Sequence, residues 1–178
     1  MEFSVDTRRP AAHSPIVIEL LHDDAQTPRR ATEGSAGYDL FAYVRGRRVR
    51  RSDGTRVWEQ DVSGTDDAAL ELAPGEMALV PLGFKARLPK GYEAQVRPRS
   101  GTAFKKALTM PNAPGTVDSD YPDEWMVVIR NSAPVAARIT HGERIAQMVL
   151  ARYEVLEFEE GVVDATTSRR GGFGSTGT

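Results

Sequence analysis

Short apolar runs, each stopped by a proline, glycine or asparagine turn, set the tightest bound on what this chain can fold into. Ile16-Val17-Ile18-Glu19-Leu20-Leu21 opens the series. Residues 76–88 read as one or two strands around a break at 81–83, and Tyr92-Glu93-Ala94-Gln95-Val96-Arg97 alternates with a period of two. Runs at 125–130, 136–139 and 145–155 follow. Ala73-Pro74-Gly75, Pro89-Lys90-Gly91, Asn131-Ser132-Ala133-Pro134 and His141-Gly142 punctuate them. This spacing predicts an all-β sandwich or barrel. Only residues 100–108 predict a helix, and a short one.

The chain has 178 residues, enough for one domain with a core. Its net charge of -2 gives no bulk attraction to nucleic acid. It has no cysteine, which excludes disulfides, thiolate zinc sites and a cysteine nucleophile. Residues 1–14 are polar and lack the apolar stretch of a secretory signal. No apolar run approaches the roughly 20 residues of a membrane span. The expectation is a cytoplasmic protein without membrane contact.

Two segments stand apart. Residues 45–67 are polar and carry Arg45, Arg47, Arg48, Arg50, Arg51 and Arg56. Ser52-Asp53-Gly54-Thr55 predicts a turn, and so a protruding hairpin. The segment reads either as a nucleic-acid or partner contact, or as a solvated insertion with a charged edge; the second is the expectation. Residues 164–178 are rich in glycine, serine and threonine, and composition alone predicts disorder there.

Several groups could carry chemistry. Arg97-Pro98-Arg99-Ser100-Gly101-Thr102 leaves a strand and opens the predicted helix, a pattern suited to polyphosphate or merely to a turn. In Arg169-Arg170-Gly171-Gly172-Phe173-Gly174-Ser175-Thr176, glycines would let backbone amides approach phosphates, and the aromatic could stack on a base. Asp118 and Asp120 flank Ser119 after the Pro114-Gly115 turn. Strand alternation would aim both at one site, where a carboxylate near water can act as general base; the structural alternative is a turn capped by acids. Asp39 is an acid within Ala36-Gly37-Tyr38-Asp39-Leu40-Phe41-Ala42, an otherwise apolar strand. If buried it needs a partner, either a cation or the surroundings of a metal. His13, His22 and His141 show no metal-ligand spacing.

Taken together, five blocks resemble the trimeric dUTP pyrophosphatases (dUTPases), in family order: residues 36–42, 97–103, 112–121, 142–147 and 171–177. The resemblance runs from about Ile16 to the end. It implies a dUTPase-like jelly-roll or distorted β-barrel with one short helix, in a homotrimer with exchanged C-terminal arms. The chain would divide into an N-terminal tail (1–14), a β domain (15–163, with an insertion at 45–67) and an arm (164–178) closing the site. The implied reaction is dUTP to dUMP and pyrophosphate, which keeps uracil out of DNA and supplies dUMP for thymidylate synthesis. Asp118 matches the base that activates water for attack on the α-phosphorus. Asn112, with the backbone of Thr116, Val117 and Asp118, would read uracil. Tyr121 would pack on the sugar and leave no room for a 2′-hydroxyl, and Met126 would lie close to the nucleotide. Arg99, Ser100, Gly101 and Gln147 would hold phosphates. Phe173 would lid the base, Ser175 and Thr176 would meet the γ-phosphate, and Gly174 would also touch substrate. Mg²⁺ would ride on the substrate phosphates, with Asp39 acting through its waters.

The chain departs from the family in three places. The tail arginine is out of step, so Arg169 or Arg170 could supply it, with Arg169 favoured. Pro122-Asp123 follows Tyr121 where a glycine is usual at the second place. Residues 45–67 are additional to compact members. The enzyme alternative is a dCTP deaminase of the same fold, disfavoured by Arg99-Ser100-Gly101 and Asp118-Ser119-Asp120-Tyr121. The other alternative is a regulatory binding protein using the basic insertion. A nucleic-acid or protein contact through 45–67 is open to the chain but not expected.

Overall fold

The computed structural model describes residues 15–164. The expected tail 1–14 and most of the expected arm lie outside the described residues, and with them Arg169, Arg170, Phe173, Gly174, Ser175 and Thr176. The elements are β1 (Val17–Leu20), β2 (Arg29–Arg30), β3 (Tyr38–Phe41), β4 (Arg48–Ser52), β5 (Val57–Asp61), β6 (Ala69–Leu72), β7 (Met77–Pro81) and β8 (Phe84–Arg87). They continue with β9 (Tyr92–Pro98), α1 (Ser100–Lys106), β10 (Leu108–Thr109), β11 (Gly115–Val117), β12 (Met126–Asn131), β13 (Ala137–Thr140) and β14 (Arg144–Arg152).

Two five-stranded antiparallel sheets carry the fold, in the orders β10-β12-β7-β4-β5 and β11-β9-β14-β3-β2. The pairs β1-β8 and β13-β6 complete it. The predicted all-β jelly-roll class and the single short helix both hold. Alternation buries one face of the inner strands, such as β4, β7, β9 and β12. Val49, Val80, Val127 and Ile129 come from the first sheet, and Leu40, Ala94, Val96, Ala146 and Met148 from the second. Leu70, Leu72, Ile139 and Phe84 fill the ends of the same cluster. Trp125, 1% exposed, lies against Phe84 with ring centroids 5.3 Å apart. Burying such side chains is the main favourable term in the fold.

The 45–67 hairpin forms, with its turn closed by Asp53 accepting from the Thr55 and Arg56 backbone amides. It does not protrude freely, however. β4 pairs with β7 as well as with β5, so the hairpin widens the first sheet. Val49 points into the core, and Arg51 is buried, held by Gln60 and Glu76 and lying over Trp58. The predicted break at 81–83 is an irregularity at Gly83, whose φ is +76°, with Trp125 bonded to Leu82 and to Phe84 on either side of it. A Cβ there would lie 2.8 Å from the Tyr43 ring and 3.0 Å from Ala25 Cβ. Gly83→Ala is therefore expected to cost on the order of 1–3 kcal/mol, from backbone strain and the clash together. Urea denaturation would measure this as a lower midpoint with unchanged slope.

Candidate active site

The sequence places Asp39 on a strand, and the fold gives it partners. Asp39 is 9% exposed. Its Oδ1 accepts from Arg99 Nε at 2.8 Å and its Oδ2 from Arg144 Nη1 at 3.1 Å. Arg99 ends the strand segment before α1 and also donates to the Arg144 carbonyl at 3.2 Å. Gln147 stands opposite Asp39 in the β14–β3 register and donates to the Pro98 carbonyl at 3.0 Å. Ser100 and Gly101 are exposed beside this cluster. The sheet thus joins Asp39, Arg99, Ser100, Gly101 and Gln147, all expected from sequence. It adds Arg144, which sequence reasoning did not single out although it lies within the fourth block. Each Asp39 oxygen takes one guanidinium and keeps lone pairs for a water, so the site fits an indirect role toward a metal. Among the described residues no group of three or more His, Asp or Glu side chains converges to hold one.

A second group lies on the segment after α1 that carries β11. Gly115 pairs with Val96 at the edge of the second sheet, and Asn112 folds over it. A Cβ on Gly115 would lie 3.1 Å from Asn112 Nδ2, so the glycine lets the Asn112 side chain close on the strand. A depression of about 210 Å³ is lined by Leu79, Thr116, Val117, Tyr121, Trp125 and Met126. Asp118, exposed, follows Val117 directly. The strand ends there: the Tyr121 amide donates to the Asp118 carbonyl at 3.3 Å, closing a turn. Alternation therefore does not carry Asp120 to the side of Asp118. Asp120 lines a different groove, with Glu19, Lys85 and Arg87.

The two groups are far apart in one copy. Strand order puts β11 three spacings from β3, and register puts Asp118 about four residues along the sheet from Asp39. Together these separate the two acids by roughly 20 Å. Beyond β14 the described residues 153–164 have no regular structure, and Val155, Leu156, Phe158, Val162 and Val163 are each at least 79% exposed.

The insertion offers little free positive charge. Arg45 reaches Asp24 and Asp66, Arg48 reaches Glu59, and Arg56 reaches Asp53. Arg47 holds Glu124, and Arg51 holds Glu76. At the hairpin's root, Tyr43 lies between two histidines, stacked on His22 at 4.4 Å and edge-on to His141 at 4.8 Å. The Tyr43 hydroxyl donates to Asp24 Oδ1 at 2.7 Å. Burial, then this bond, pushes the Tyr43 hydroxyl up to about 12, and the same bond lowers Asp24. Burial lowers His141. His22 and His141 thus pack on the two sides of Tyr43.

A family model described as dUTPase matches residues 60–177. A deoxyuridine 5′-triphosphate nucleotidohydrolase of Rhizobium rhizogenes is 45% identical over 165 residues, covering 90% of this chain and 92% of that protein. One from Caulobacter vibrioides is 42% identical over 157 residues, covering 86% and 87%. Among solved structures, a Staphylococcus bacteriophage 80alpha dUTPase variant with dUpNHpp superposes with a TM-score of 0.71 at 23% identity, covering 92% of this chain and 99% of that one.

Proposed function

The chain belongs to the dUTPase family, and from that premise we propose that it hydrolyses dUTP to dUMP and pyrophosphate, with Asp118 preparing the attacking water. The observation that carries this reading is the depression formed by Thr116, Val117, Tyr121 and Met126, with Asp118 at the next position along the chain. A flat base fits against strand edges there, with Asn112 and the backbone of Thr116, Val117 and Asp118 supplying polar groups to its edge. Tyr121 closes the sugar side and discriminates by exclusion. The Asp118 carboxylate takes a proton from water as the water oxygen bonds to the α-phosphorus. The bond from the α-phosphorus to the bridging oxygen then breaks, and pyrophosphate leaves with that oxygen. Arg99, Ser100, Gly101 and Gln147 grip the phosphates, and Asp39 keeps Arg99 in place. Mg²⁺ on the triphosphate, when bound, neutralises charge on the phosphates.

The separation of Asp118 from the Arg99 cluster supports a site completed between copies. The exposed apolar segment 155–163 supports an arm that packs on a neighbour, because such a patch marks an interface. Both agree with a homotrimer in which the arm, with Arg169, Phe173, Gly174, Ser175 and Thr176, closes a site on another copy. Among the described residues no helix is long and apolar enough to cross a membrane.

Pyrophosphate release with Mg²⁺ across dUTP, dTTP, dCTP and UTP tests the reading. Release from dUTP is expected to exceed the others by at least about 10²-fold. Ammonia release from dCTP would replace it with the deaminase alternative.

A further inference from the structure

The segment joining Tyr121 to β12 has no regular structure, yet it carries the side chain that closes the sugar side of the proposed site. Its anchor is Glu124, which is 9% exposed. The Glu124 carboxylate accepts from Arg47 Nη1 at 2.9 Å, from Arg47 Nη2 at 2.6 Å and from the Gly83 amide at 2.9 Å. The Glu124 carbonyl in turn accepts from the Tyr121 hydroxyl at 3.4 Å. A two-pronged arginine–carboxylate contact fixes direction as well as distance.

Arg47 is itself held. It lies 3.1 Å from His22 Nε2 and sits over the Tyr43 ring at 5.8 Å. Its backbone closes the root of the β4–β5 hairpin, where its carbonyl accepts from the Val62 amide at 2.8 Å. Arg47, Tyr121, Glu124 and Met126 also face one groove of about 680 Å³. The hairpin's root is therefore joined through one partly buried ion pair to the loop bearing Tyr121.

We propose that Arg47 is a positioning residue: through Glu124 it sets where Tyr121 stands, and so contributes to discrimination between deoxyribo- and ribonucleotides. The inference rests on the nucleotide site proposed above. It gives the inserted hairpin a part in specificity that does not require a macromolecular partner.

The test uses the full-length protein with Arg47→Met, Arg47→Lys and Glu124→Gln. KM and kcat are measured for dUTP and UTP, and hydrogen exchange is followed over 118–126. Arg47→Met is expected to raise KM for dUTP and to lower the dUTP-over-UTP ratio of kcat/KM by roughly tenfold. Saturated kcat should change little, and exchange over 121–125 should quicken. Arg47→Lys should recover part of the ratio, since one ammonium can meet one carboxylate oxygen. If Arg47→Met fails to fold, Glu124→Gln carries the same expectation, because its amide oxygen still accepts from Gly83. Folded variants that keep the ratio and KM while merely melting earlier would overturn the proposal, as would a loss confined to kcat. If the unaltered protein hydrolyses a different pyrimidine nucleotide, the dUTP reading falls instead. The ratio is then read between the deoxy and ribo forms of that nucleotide.

Discussion

Asp118→Asn is expected to lower dUTP turnover by about 10²–10⁴-fold, the usual worth of a general base, while nucleotide binding stays within a fewfold of the unaltered chain. Asparagine matches aspartate in shape but cannot take the proton from water. Asp118 is exposed just after β11, so the change should leave the core untouched. Pre-steady-state and steady-state pyrophosphate release, with equilibrium binding of a non-hydrolysable analogue, separate the two quantities. Turnover within a fewfold of the unaltered chain would remove Asp118 from the base role. Asp120→Asn is the control, because Asp120 lines a different groove, and it should have far less effect.

The second expected result is recovery of activity from two dead parents. Arg99→Ala removes the proposed phosphate grip and strips Asp39 of one partner, so it too should depress turnover severely. In one copy, Asp118 and the Asp39-held Arg99 are roughly 20 Å apart. If one site takes Asp118 from one copy and Arg99 from its neighbour, mixed assemblies contain some intact sites. Random co-assembly of the two variants in equal amounts leaves about a quarter of sites with both groups in a closed ring. Co-expression of Asp118→Asn with Arg99→Ala should therefore restore about that fraction of the original rate. Each variant alone stays inactive. A mixed preparation no more active than its parents would mean that each copy completes its own site.

Much of the site was legible because its parts are local. The run 112–121 carries its own turn, its own strand and its acid, and backbone geometry over ten residues is enough to shape it. Arg99-Ser100-Gly101 likewise sits where a strand gives way to a helix, which the residue types announce. The partners of Asp39 were not legible. Arg99 is 60 residues away and Arg144 is 105 away, and only strand register brings them to one carboxylate. The same holds for Arg47 and Glu124, 77 residues apart. In sequence, the insertion arginines looked like a free basic edge. In the fold, most of them hold carboxylates, and Arg51 is buried, because β4 pairs with β7, which brings Glu76 to it, and with β5, which brings Gln60. Alternation misled at Asp120, since it applies only while the strand lasts, and the strand ends at Val117.

By itself, then, the order of residues determined the all-β class, the short helix and the five blocks through which the chain resembles the dUTPases. These follow from turn chemistry, period-two burial and functional groups that act within a few neighbours of one another. Tertiary structure alone decided which charges neutralise each other, that the hairpin is part of a sheet, and how far Asp118 stands from Arg99. Those depend on strand order and register, which bring distant segments together and which no local pattern of residues specifies.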